Sequence, residues 1–181
     1  MIAIGYMYKK VEKKPDWLNT DQVLDIYSVS GCISEDFAHW MDSWKHNGYW
    51  FFDNPEIMHD LAGENRISLD GMTLFYYTAY EKQWDNDHRV WLPYSAHDFP
   101  TKIVQPENRL FKGFDLVSFS GQTAAECSPL SCNGLSEEIN VNTHCLLDTL
   151  DEAKFCLEKG KLNHCEPGPY RIFAVHTLET R

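Results

Sequence analysis

The chain has 181 residues, a formal net charge of −11, 43% apolar and 14% aromatic residues, enough to fill the core of one globular domain spanning residues 1–181. With so few Lys and Arg to neutralise phosphates, nucleic acid and anionic membranes are excluded as expected partners, and a basic protein partner suits the acidic surface. No run approaches the ~20 apolar residues of a membrane span, and "MIAIGYMYKKVEKK" places its charges after its short apolar run, the reverse of a signal peptide.

The opening "MIAIGYMY" reads as a strand, being rich in β-branched and aromatic residues. Lys9, Lys10, Lys13 and Lys14 follow, offset by Glu12; residues 1–15 carry +3 and the rest −14. These lysines read as a solvated turn. A second strand is expected at "QVLDIYSVS" (22–30). Ser34 then caps a helix whose Phe37, Trp40, Met41 and Trp44 fall on one stripe, ending at Asn47-Gly48. "YWFF" (49–52) is a short strand or buried connector. Asn54-Pro55-Glu56 opens another helix, with Ile57, Met58, Leu61 and Ala62 on its buried face and Gly63 as its stop.

"TLFYYTAYE" (73–81) is strongly β-prone, and residues 85–112, with three prolines, read as a long irregular connection holding a short strand or two. "FDLVSFS" (114–120) is another strand. Thr149 and Glu152 make a capping box for a helix with Leu150, Ala153, Cys156 and Leu157 on its stripe. "YRIFAVHTLE" closes the chain as a strand apolar on both faces, the pattern of a sheet interior. The fold class is α+β: a single domain, a mixed or mostly antiparallel sheet, and about three packed helices.

Chemistry concentrates in "ECSPLSCNG" (126–134) and in the two "HC" dipeptides, 144–145 and 164–165. Cys127-x4-Cys132 lies at the outer limit of first-pair zinc spacing, and Cys145 with His164 would complete a tetrahedral set of Cys127, Cys132, Cys145 and His164. The same region can be read as a thiol active site. Cys132 is then the nucleophile in a loop of Gly, Ser and Asn, with His144 or His164 as base and Glu126, Glu137 or Glu166 as its orienter. Against both stands the packing reading, in which free cysteines behave as small hydrophobes and Asn133-Gly134 is a turn.

Glu137-Glu138 cannot act jointly, because neighbouring side chains diverge in either helix or strand. Asp85, Asp87 and His88 read as a turn rather than a hard-metal loop, and no phosphate-binding glycine motif occurs. With six cysteines but no export signal, the thiols are expected to be reduced and the protein cytoplasmic. Two functions are therefore carried forward. One is an inhibitor- or immunity-type binding protein for a basic partner, with no cofactor; the other is a thiol- or zinc-dependent enzyme centred on 126–134.

Overall fold

The β-prone runs from both ends of the chain meet in one sheet. The structure, a computed structural model, describes residues 1–40, 47, 49–94, 102–119 and 125–178. In chain order its elements are β1 (Ile2–Lys9), β2 (Glu12–Lys13), β3 (Asp25–Ile26), a 3-10 turn (Phe37–Trp40), α1 (Pro55–Asn65), β4 (Thr73–Asp85) and β5 (Val90–Pro93). There follow β6 (Arg109–Ser118), the one-turn helix α2 (Pro129–Cys132), a second 3-10 turn (Leu135–Glu137), α3 (Leu150–Glu158) and β7 (Tyr170–Leu178). The sheet order is β1-β4-β7-β6, with β5 also pairing β4, and every pairing is antiparallel. The α+β class expected from the sequence is the one observed.

The last strand lies between β4 and β6, and its residues 170–177 are all buried, as its two apolar faces require. Register places Tyr77 opposite Val175, Ala79 opposite Phe173 and Asp115 opposite Phe173, so these side chains share one face. Phe51 packs there on Tyr77 and Phe173, and the same cluster takes in Met58, Leu61 and Ala62 of α1. A second cluster joins Leu116 and Ile172 to Ala153, Cys156 and Leu157 of α3. Each such side chain contributes roughly 1.5–3 kcal/mol when fully buried.

Both long helices begin where their caps lie. Asn54 accepts a hydrogen bond from Ile57 N at 3.1 Å, with Pro55 in the first turn. Thr149 and Glu152 form the reciprocal capping box, Glu152 N donating to Thr149 Oγ1 at 3.2 Å and Thr149 N to Glu152 Oε2 at 2.9 Å. α1 runs past Gly63 to Asn65, because left-handed Arg66 supplies the cap N–H instead.

Other expectations changed for identifiable reasons. Ser34 does not serve as a helix cap: its hydroxyl is buried and donates to Ile26 O at 2.8 Å, and the described residues after it form the turn Phe37–Trp40. Met41 and Trp44 lie outside the described residues. The strand expected at 22–30 shrinks to Asp25–Ile26, since the N–H groups of Leu24 and Tyr27 go to the carbonyls of Thr143 and His144, and that of Val29 to a carboxylate of Asp115. β6 begins at Arg109, earlier than expected, where it pairs with Leu178. Asp85 and His88 form the β4–β5 turn, His88 N donating to Asp85 Oδ1 at 2.9 Å. Among the described residues no helix is long and apolar enough to cross a membrane.

Gly113 is one of the glycines that close approach requires. It sits at the β6 register shift with φ 142°, where an added Cβ would lie 2.6 Å from Leu146 Cβ and 2.8 Å from Leu147 O. Gly113→Ala is expected to lower the urea-unfolding free energy by about 1–3 kcal/mol. The control Gly63→Ala, inside α1 with open space around its Cβ, should raise it by roughly 0.5–1 kcal/mol; equal effects at the two positions would contradict this account of the bulge.

Candidate metal centre

The free edge of β6 organises the site. Ser118 N donates to Cys127 O at 2.9 Å and Glu126 N to Ser118 O at 3.0 Å, so the start of the cysteine loop continues the sheet for one bridge. Pro129 then opens the single turn of α2, in which Cys132 N donates to Ser128 O at 2.9 Å and brings Cys132 back over Cys127. A second loop, before the turn at Phe37–Trp40, delivers Cys32. The sulfurs of Cys32, Cys127 and Cys132 all lie within 4.8 Å of one another. Three thiols at this spacing could hold a metal ion.

What joins the two loops is Asp115, a fully buried carboxylate on β6. Its Oδ2 accepts from Val29 N at 2.8 Å and from the Ser128 hydroxyl at 2.6 Å, and the same hydroxyl accepts from Ser30 N at 3.1 Å. Lys9, equally buried at the end of β1, donates to Val29 O at 3.0 Å and Ser30 O at 2.7 Å. The sequence reading placed Lys9 in a solvated turn with its neighbours; the structure overturns this, because the last residue of β1 points under the 28–32 loop, while Lys10 stays exposed. Burial lowers the Lys9 ammonium to about 8, against the opposing pull of Asp36, Asp115, Cys132 and Cys32. Burial raises Asp115 to about 6 in spite of its hydrogen bonds and Lys9.

The three thiols are electrostatically unequal. Hydrogen bonds from Cys127 and Cys132, then Ser30 and the Lys9 charge, hold Cys32 well below the ordinary thiol range. Cys127 is pushed far up by its hydrogen bonds to Cys132 and Cys32 and by burial. At Cys132 the bond from Cys127 favours the thiolate, but hydrogen bonding to Cys32, burial and the Cys32 charge outweigh it, and the net shift is upward. These influences favour ionisation of Cys32, the sulfur nearest solvent, over that of the other two. Cys32 also lines a cleft of about 360 Å³, together with Asp36, His39 and Trp50.

Of the residues the sequence singled out, Cys127 and Cys132 are brought together, and Glu166 lies next to them through Asn133, outside the three-sulfur cluster. Glu166 Oε1 accepts from Asn133 Nδ2 at 3.4 Å, and Asn133 Oδ1 accepts from the Cys127 thiol at 3.2 Å. Cys145 is buried in the second core cluster and is not part of the trio; burial pushes its thiol to about 12. His144 turns away from the cysteines: its Nδ1 pairs with Asp25 Oδ1 at 2.6 Å and its ring stacks on Tyr27 at 4.1 Å. His164 is exposed on the turn after α3 and is not among the clustered ligands. Glu126 contributes its backbone, accepting from the Cys32 thiol at 3.0 Å, and Glu137 caps Asn19 N at 2.9 Å. Cys32 was missed because it stands alone in "SGCIS", 95 residues before Cys127. Its only sequence signal is a Gly-Cys in a Ser-rich loop.

Comparison with known proteins adds no guide to this centre: no protein-family model, curated protein or solved structure matches the chain.

The Asp115 tie has a measurable consequence. A carboxylate raised in the folded state favours folding while protonated, so its contribution is lost as pH rises from the ordinary ~4 to about 6. Asp115→Asn is therefore expected to flatten the fall of unfolding free energy across that window. Asp115→Ala should destabilise by about 1–3 kcal/mol near neutrality, because it leaves the buried Val29 N–H and Ser128 hydroxyl without their acceptor. Identical pH slopes for wild type and Asp115→Asn would count against a buried ionised tie.

Proposed function

We propose that the protein is a zinc protein whose metal is bound by Cys32, Cys127 and Cys132. The observation that carries this reading is the convergence of three thiols from two loops that are far apart in sequence, held by a buried hydrogen-bond network. Zinc–thiolate bonds of ~2.3 Å in a tetrahedral arrangement put sulfurs about 3.8 Å apart, so a trio already inside 4.8 Å needs only a small contraction. Soft thiolates select zinc over magnesium or calcium, and the Lys9 ammonium offsets part of the negative charge of the sulfurs. The six free cysteines support a reducing, cytoplasmic setting for such a site. Of the two site readings of the 126–134 loop, the metal centre is the one proposed and the Cys–His pair is left aside, since His144 is paired with Asp25.

Purified protein is expected to carry about one zinc per chain by elemental analysis, and Cys32→Ser, Cys127→Ser and Cys132→Ser should each lose it, while Cys156→Ser should not. Bound zinc should also protect Cys32 from iodoacetamide. Metal-free protein that takes up no zinc, with Cys32 alkylated at the same rate in its presence, would rule the reading out.

A second reading is favoured by a different surface. Trp17 and Leu24 are 51% and 62% exposed, near a polar cleft of about 540 Å³ lined by Asp21, Glu137 and Glu138. Asn19 joins the two, bonding to Trp17 O and Glu137 Oε1. An exposed aromatic beside acids is the composition of a site for a basic protein partner, without nucleic acid or membrane. Lysine-rich peptides are expected to quench Trp17 fluorescence, with affinity falling as salt rises and lost in Trp17→Ala or Glu137→Gln/Glu138→Gln. Binding indifferent to salt and to these substitutions would remove the support.

A further inference from the structure

We infer that Glu166 is the fourth ligand of the zinc ion, so that the centre is a closed site of three thiolates and one carboxylate, tying the turn before β7 to the two cysteine loops. The inference rests on the three-cysteine zinc reading and goes beyond it by naming the group that fills the remaining position. Three observations lead to it. Glu166 Oε2 is buried without a hydrogen-bond partner among the described residues, an expensive state for a carboxylate oxygen. Its other oxygen has only a long contact, 3.4 Å from Asn133 Nδ2. The Asn133 side chain links Glu166 to the site, since its Oδ1 accepts from Cys127 Sγ at 3.2 Å while its Nδ2 donates to Glu166 Oε1.

As the side chains stand, the Cys127 S–H goes to Asn133 Oδ1, and Glu166 Oε2 has no donor among the described residues. Coordination replaces the thiol hydrogen with the metal and gives Oε2 a cation to satisfy it. Binding through Oε2 removes the orphan and leaves Oε1 to the Asn133 amide, an outer-shell bond that orients a ligating carboxylate. The backbone is already held: Tyr170, fully buried at the start of β7, donates its hydroxyl to Glu166 O. Four protein ligands are the signature of a structural zinc site, whereas a catalytic one keeps a position open. The alternative occupant of the fourth position is solvent on the side of the Cys32 cleft.

The two are separated by loading the full chain with cobalt(II) or zinc. Wild-type cobalt protein should show tetrahedral visible bands that added imidazole does not alter. Glu166→Ala should become sensitive to imidazole and lose zinc affinity, by competition with a chromophoric chelator, by at least the ~10–100-fold typical of removing an outer-shell partner. Glu166→Cys should retain zinc and gain sulfur-to-cobalt charge-transfer intensity, a result that a merely structural role for the side chain would not produce. If imidazole perturbs the wild-type bands and Glu166→Ala binds zinc as wild type does, Glu166 is not a ligand while the three-cysteine reading stands. If wild type binds neither metal, both fall.

Discussion

The buried carboxylate of Asp115 is the constraint on which the cysteine cluster depends. It is carried by β6, the strand whose outer edge is left open by the sheet order, and it bonds to both loops at once, through Val29 N and the Ser128 hydroxyl. A carboxylate without its charge or its acceptor oxygens would leave Val29 N and the Ser128 hydroxyl to find other partners. Lys9 makes the arrangement tolerable by bringing an ammonium to the same interior, bonded to the carbonyls of Val29 and Ser30. The three cysteines thus sit on a polar knot rather than on the apolar core, and the knot is anchored at both ends to strands.

That location accounts for the electrostatic inequality of the thiols. Cys32 approaches the cluster from the solvent side and collects hydrogen bonds from its two neighbours, so it ionises first; Cys127 and Cys132 lie deeper and are held protonated by burial and by each other. The same inequality separates the trio from the other cysteines. Cys145 and Cys156 lie in the second apolar cluster, where burial raises the thiol above its ordinary range.

The framework was largely legible from residue order, because its signals are local. The capping box at Thr149 and Glu152, the Asn54-Pro55 start of α1, and the β-prone runs "TLFYYTAYE" and "YRIFAVHTLE" each arise from residues close together in the chain. Where tertiary contacts compete, the local signal lost. Ser34 has the form of a helix cap, yet its hydroxyl serves Ile26 across a loop. Lys9 has the form of a surface charge, yet the end of β1 buries it. Half of the candidate site was legible for the same reason: Cys127 and Cys132 are close in sequence, and one turn of helix suffices to face them toward each other.

By itself, then, the sequence determined an acidic α+β domain, the starts of its two long helices, its central last strand, and the loop in which sulfur chemistry would concentrate. Only the tertiary structure decided which side chains share that loop's surroundings. It took Cys32 from far upstream and Glu166 from the turn before β7, and it sent His144 to Asp25 and Cys145 to the apolar interior. The physical reason is that ligand convergence depends on where chain segments cross the edge of a sheet, and that is set by long-range pairing and buried charge, which leave no periodic trace in the order of residues.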